Sequence, residues 1–168
     1  MKAILERRSI RKYTDEPMSD DDLNNLLKAA MAAPSAGNQQ SWEFVVIRDR
    51  DILNTAVGIH PSGGYKMLGH APLAIVVCGN PDKELYEGYW VQDCAAATEN
   101  ILIAAQSLGL GAVWLGVYPR EDRVAKLKKL LGLPARIIPL SIVSVGHPAE
   151  KKGPSNRFDE GNIHLDKW

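Results

Sequence analysis

The chain has 168 residues, 45% of them hydrophobic and 24% charged, which suits one domain that buries roughly two-thirds of its unfolded surface. Twenty Lys plus Arg offset twenty Asp plus Glu, a neutral total that excludes coating of nucleic acid or of a membrane surface by charge alone. No stretch approaches ~18 consecutive apolar residues and "MKAILERRS" lacks the apolar run of a signal peptide, so no membrane span and no secretion are expected.

Residues 2–9 predict a short helix ending near Ser9. A clearer helix follows, with Ser19 as N-cap and Asp20, Asp21 and Asp22 in the first turn, where the helix dipole favours anions. Leu23, Leu26, Leu27, Ala30 and Met31 repeat at helical spacing, and Pro34 ends the run. "WEFVVIR" (42–48) reads as a strand, and a short helix is expected around 50–58. "HPSGGYKML" carries turn signals. "PLAIVVCG" (72–79) is a continuous apolar run, as in a strand covered on both faces. Residues 88–108 form the longest predicted helix, with Val91, Cys94, Ala95, Thr98, Ile101, Leu102, Ala105 and Leu108 in one stripe. Apolar positions also fall on its other sides, as in a central helix buried by more than its own chain. "GAVWLGV" (111–117) is a third strand. "REDRVAKLKKLLGLP" is an amphipathic helix closed by Gly132 and Pro134. A fourth strand spans 137–146, interrupted by Pro139, and the polar tail has one possible short strand at Ile163–Leu165. Alternating strands and helices give a layered α/β or α+β domain over residues 1–168.

Cys78 and Cys94 lie in apolar runs with no CxxC pair, so buried free thiols in a reduced cytoplasm are expected. The four histidines are scattered, with no HxxxH, HExxH or GxSxG pattern. Chemistry without a catalytic triad or metal site points to a cofactor that carries it.

Four segments are candidates for holding one. "RRSIRK" places Arg7, Arg8, Arg11 and Lys12 around Ser9; guanidinium groups fork onto phosphate oxygens, although on residues alone a solvated patch is the plainer reading. "APSAGNQQSWEF" (33–44) crowds Ser35, Asn38, Gln39 and Gln40 between helix and strand, as a polar turn or as amides for the edge of a planar heterocycle. In "GLGAVWLGVYP", Gly116 at a strand end lets a backbone approach a flat ring. Arg157 in "GPSNRFD" adds one cation. No GxGxxG turn occurs, so a Rossmann site is not expected.

In this order the segments "RRSIRKY", "APSAGNQQSWEFVV", "LGLGAVWLGVYP" and "VGHPAE" with a basic tail residue resemble the nitroreductase family of flavoproteins over essentially the whole chain. The resemblance implies a mixed, mainly antiparallel sheet flanked by helices, in an intertwined cytoplasmic homodimer with two FMN molecules at the interface. Arg7, Arg8, Ser9 and Arg11 match positions that hold the ribityl chain, pyrimidine edge and phosphate, and Arg157 matches the tail cation. Pro34, Ser35, Ala36 and Asn38 match a loop lying against the partner's flavin. Leu115 and Gly116 match the strand end near the flavin N5, and Lys66 a basic position near the pyrimidine side.

The implied activity is ping-pong transfer from NAD(P)H through the flavin to a nitroaromatic or quinone. Dehalogenation, flavin breakdown or a flavin sensor without turnover are the alternatives on the same fold. Ser41 stands where proline is frequent. The tail has lost one cation, which Lys151 or Lys152 would have to replace. Only "NPDKELYEGY" joins the second strand to the long helix, so the cover over a flavin should be small.

Overall fold

The computed structural model describes residues 1–168. Its helices are α1 (Lys2–Glu6), α2 (Asp20–Met31), α3 (Arg50–Val57), α4 (Trp90–Ser107) and α5 (Glu121–Leu131), and its strands are β1 (Trp42–Ile47), β2 (Leu73–Gly79), β3 (Gly111–Gly116) and β4 (Ile138–Gly146). The strands form one sheet in the order β1-β2-β4-β3, with every neighbouring pair antiparallel. The parallel component of the expected mixed sheet is a single bridge between Ser9 and Ala112.

The helix ends follow local chemistry. The Ser19 side chain accepts from the Asp22 amide at 3.0 Å, and three aspartates fill the first turn of α2. Asp49 caps α3 through the Asp51 and Ile52 amides. Gly132 closes α5 in the left-handed region at φ 62°.

Every residue of β2 is buried, because both sheet faces are covered. Ala74, Val76 and Cys78 point into a core with α3 and α5. Leu73, Ile75 and Val77 point into a second core with α2 and α4. Pro139 fits into β4 through a bulge: Val77 pairs with Ser141 and Cys78 with Pro139, leaving Leu140 unpaired with β2. The freed Leu140 carbonyl accepts the Val117 and Tyr118 amides at 3.0 and 3.1 Å.

Three expectations change. Helix α1 ends at Glu6, not near Ser9, since the next residues are extended and the Ile10 amide donates to the Ala112 carbonyl at 3.0 Å. On α4 five of the eight predicted stripe residues, Cys94, Thr98, Ile101, Leu102 and Ala105, are buried, together with Trp90, Asp93 and Ala97; Val91 and Ala95 are only partly buried, and Leu108 lies beyond the helix and is exposed. The segment Ile163–Leu165 is not a strand; it follows a short 3₁₀ turn at Glu160–Asn162.

The N-terminal segment is stapled to the sheet by Tyr13, whose buried hydroxyl donates to the Ile10 or Ser144 carbonyl (2.9 and 3.1 Å) and accepts from the Ser144 hydroxyl at 2.9 Å. Burial pushes this phenol well above its usual range. Both cysteines are free and buried, and burial raises the Cys78 thiol to about 12 and the Cys94 thiol higher still. These groups stay neutral in the native chain while their unfolded counterparts ionise above their ordinary values of 9.0 and 10.0. Native stability is therefore complete below about pH 9 and falls as pH rises, by up to about 1.4 kcal/mol per pH unit for each group. Urea midpoints measured from pH 8 to 11 should decline accordingly, and Tyr13→Phe should flatten the part above pH 10. A flat profile over this range would show that burial does not hold these protons.

Candidate functional site

The opening cluster is laid out by backbone pairing. Ile10 pairs with Ala112, Thr14 donates to the His147 carbonyl at 2.9 Å, and Ala149 donates to the Lys12 carbonyl at 2.9 Å. Residues 9–14 are thus held between the start of β3 and the segment after β4. From that ribbon the four cations diverge. Arg7 faces α4 and pairs with Glu99 at 3.5 Å. Arg8 donates to the Gly153 carbonyl and lines a small cleft with Ile10, Gln106, Leu110 and Lys151. Arg11 and Lys12 are exposed and carry no ion pair within the chain.

Arg11 and Lys12 open onto a second cleft of about 520 Å³, which also collects Gly63, Gly64, Lys66, Met67, His70, Glu150 and Lys152. Glu150 organises the cations. Its carboxylate accepts the Arg11 amide at 2.6 Å and pairs with Lys152 at 3.1 Å, and the Arg11 amide, followed by Lys152, holds its pKa below the usual carboxylate value. The Lys152 ammonium also donates to the Ser9 carbonyl at 2.7 Å. Of the two lysines proposed to replace a tail cation, Lys152 is the one that joins Arg11 and Lys66 in one cleft. Arg157 is exposed, without a partner in its own chain.

The end of β3 is fixed from the other side. The Gly116 carbonyl accepts the Tyr65 hydroxyl at 2.6 Å and Arg123 at 3.0 Å, and Arg123 also reaches His60 at 3.1 Å. Burial, partly offset by Arg123, raises the Tyr65 phenol. A Cβ on Gly116 would meet nothing within 4 Å, so packing within the chain does not demand glycine there. Leu115 contributes backbone only, since its side chain is in the core facing α3 and α5.

The loop at 34–38 lies elsewhere. It packs on the first turn of α4, where Pro34, Ser35, Ala36, Tyr89, Gln92, Asp93 and Ala96 line a cleft of about 370 Å³. It leads into β1, at the opposite edge of the sheet from β3, three strand spacings or about 14 Å away. Within one chain, Arg11 and Lys66 therefore share one cleft, Ser9 lies beside the start of β3 and Gly116 at its far end, and Pro34, Ser35 and Ala36 line a different cleft against α4. Sequence reasoning missed Tyr65, Arg123 and Glu150, which are defined by contacts more than fifty residues apart or by backbone bonds; it also missed Asp93, whose signal was a lone acid within the apolar "VQDCAAAT".

The positively charged cleft suits an anionic ligand such as a phosphate-bearing cofactor.

The model of the Nitroreductase family matches residues 4–71 and 55–147. A protein of Archaeoglobus fulgidus, provisionally named NADH dehydrogenase/NAD(P)H nitroreductase, is 51% identical over 100% of this chain and 98% of its own. Among solved structures, an FMN-dependent nitroreductase from Clostridium difficile R20291 superposes with a TM-score of 0.93 at 32% identity, covering 100% of both chains. A provisionally named nitroreductase from Desulfovibrio desulfuricans, solved in complex with FMN, has a TM-score of 0.83 at 34% identity over 99% of this chain and 95% of that one. The chain belongs to the nitroreductase family.

Because the Gly116 carbonyl keeps its Arg123 partner, Tyr65→Phe removes one hydrogen bond without orphaning an acceptor. It should cost about 0.5–1.5 kcal/mol in a urea titration, near the net value of one bond. A loss beyond about 3 kcal/mol would mean that Tyr65 supports more than the strand end.

Proposed function

We propose that this member of the nitroreductase family is an FMN-dependent oxidoreductase that consumes NAD(P)H and works as a homodimer with its flavin sites between the chains. The observation that carries this is the cleft in which Arg11, Lys12, Lys66 and Lys152 converge.

Bound FMN would supply the redox chemistry, taking two electrons from NAD(P)H in one half-reaction and delivering them to a nitroaromatic, quinone or similar flat acceptor in the next. The chain's own groups do the rest. Arg11 and Lys152 would hold the phosphate end, assisted by Arg8, Ser9 and the tail Arg157, while Lys66 would sit nearer the pyrimidine edge. Fixed cations of this kind favour the more negative, reduced state without reorganising when charge arrives. Glu150 keeps them apart and oriented by holding the Arg11 backbone and the Lys152 ammonium. Arg7, spent on Glu99, would act by fixing the ribbon onto α4.

Two features support the dimer. The resemblance assigns the loop carrying Pro34, Ser35, Ala36 and Asn38 to the partner's flavin, and in its own chain that loop lies at the β1 edge, across the sheet from Gly116. The monomer also leaves large apolar side chains in water: Ile4, Leu5, Leu85, Phe158, Leu165 and Trp168 are each more than half exposed. Apolar surface on that scale marks an interaction face.

The purified protein should be yellow, release FMN on denaturation and bleach anaerobically with NADH or NADPH. Arg11→Ala should weaken FMN binding by about 1.5–3 kcal/mol, the scale of a charge-assisted hydrogen bond. Equal FMN affinity in both proteins would remove Arg11 from the site, and a yellow protein that never bleaches would leave a binding module without turnover.

Dilution under sedimentation should lose dimer and flavin together, because each site needs two chains. A monomer that retains flavin would contradict the shared site.

A further inference from the structure

Asp93 is 3% exposed and lies in the first turn of α4, yet the flavin site as described makes no use of it. Its carboxylate accepts three hydrogen bonds from one short segment. Oδ1 takes the Ala36 amide at 2.9 Å; Oδ2 takes the Gln39 side-chain amide at 2.8 Å and the Ser41 hydroxyl at 3.0 Å. All three partners donate, so the site calls for an acceptor-only group; an asparagine amide would turn one N–H₂ toward a donor.

The segment so held is costly to form. Gly37, Asn38 and Gln40 have φ of 53°, 58° and 50°, a left-handed geometry that non-glycine residues adopt only when surroundings over-determine it. Ser41 matters for the same reason. It is fully buried, and its hydroxyl is the group that reaches Asp93 Oδ2.

Gln39 carries the network onward. While its amide nitrogen donates to Asp93, its carbonyl oxygen accepts the Leu85 and Tyr86 amides at 2.9 and 3.2 Å. Tyr86 then lies on Gly37, where a Cβ would come within 2.6 Å of its ring, and Tyr86 meets Tyr89 edge-on with centroids 6.2 Å apart. Tyr89 lines the same cleft as Pro34, Ser35 and Ala36.

We propose that Asp93 is a positioning residue that locks the loop at 34–41 and the connection at 85–89 into one rigid wall, and that this wall is the surface against which the electron acceptor packs. The second half rests on the reading that the loop faces a partner's flavin; the first half stands without it.

The test compares wild type, Asp93→Asn and Gln39→Ala. Residue-resolved amide exchange in Asp93→Asn should rise by roughly tenfold or more at Ala36 and also at Leu85 and Tyr86, with the β2 amides unchanged. Gln39→Ala, which keeps the bonds from Ala36 and Ser41, should free Leu85 and Tyr86 but not Ala36. In the dimer assayed at saturating FMN, both variants should raise KM for a quinone acceptor by roughly five- to tenfold.

Unchanged protection of Leu85 and Tyr86 in both variants would overturn the coupling, and an unchanged acceptor KM in both would overturn the acceptor role. If Asp93→Asn fails to fold, Gln39→Ala decides alone. If the wild type binds no FMN, the flavin reading falls and takes the acceptor role with it, whereas the exchange results still decide whether Asp93 joins the two segments.

Discussion

The hydrogen bond from the Ile10 amide to the Ala112 carbonyl determines where this molecule can carry positive charge. It converts a cation-rich N-terminal segment from a wet tail into a ribbon against β3, reinforced by the buried Tyr13 hydroxyl and by the Thr14 and Ala149 pairings. Once that backbone is fixed, each side chain has one direction available. Arg7 faces α4, Arg8 the turn at Gly153, and Arg11 the open cleft. A neutral protein can thereby concentrate cations at one point without becoming basic overall, which is the electrostatic requirement for binding one anionic cofactor and not a polymer.

Holding cations together has its own cost, because like charges repel and each loses some hydration. Glu150 offsets this from a partly buried position. By accepting the Arg11 amide and pairing with Lys152, it ties the charge to main chain as well as side chain. The Ser9 carbonyl takes another share of the Lys152 charge. The cations left uncommitted, Arg11, Lys12 and Lys66, are those that border open space, so affinity for an anion is stored where it can be used.

Much of the fold was legible because it rests on local chemistry. The Ser19 cap, the aspartates after it, Gly132 and the unbroken apolar run of β2 each name their structure from within a few residues. The places where local reading failed are those where distant partners decide. On α4 periodicity named most of the buried face but not Trp90, Asp93 or Ala97, because an alanine-rich helix offers few cues to its width. Helix α1 stops early because β3, more than a hundred residues away, offers Ile10 a better partner. In the site, the residue types in "RRSIR" and "PSAGN" signalled an anion and a planar edge. Their division between opposite edges of the sheet was invisible, since strand order is not written in any single segment.

The connection from Asn80 to Tyr89 bears on how the cleft by α4 can select. Its shortness suggested little cover, but the chain is held tightly for its length. The Asn80 amide donates to the Ser41 carbonyl at 2.7 Å, Glu84 accepts the Gly88 and Trp90 amides at 3.2 and 2.6 Å, and Gln39 takes Leu85 and Tyr86. A segment with its amides satisfied in this way has little to gain by moving. It behaves as a pre-set wall and not as a lid, and a wall cannot complete itself around a substrate or expel water by closing. On the proposed reading, discrimination must then come from contact area, where one methylene is worth only about 1–3 kcal/mol. The exposed faces of Tyr86, Tyr89 and Tyr118 supply such area without any charged group to demand a particular substituent. A site built this way trades selectivity for constant readiness, which suits an enzyme whose acceptors share flatness more than functional groups.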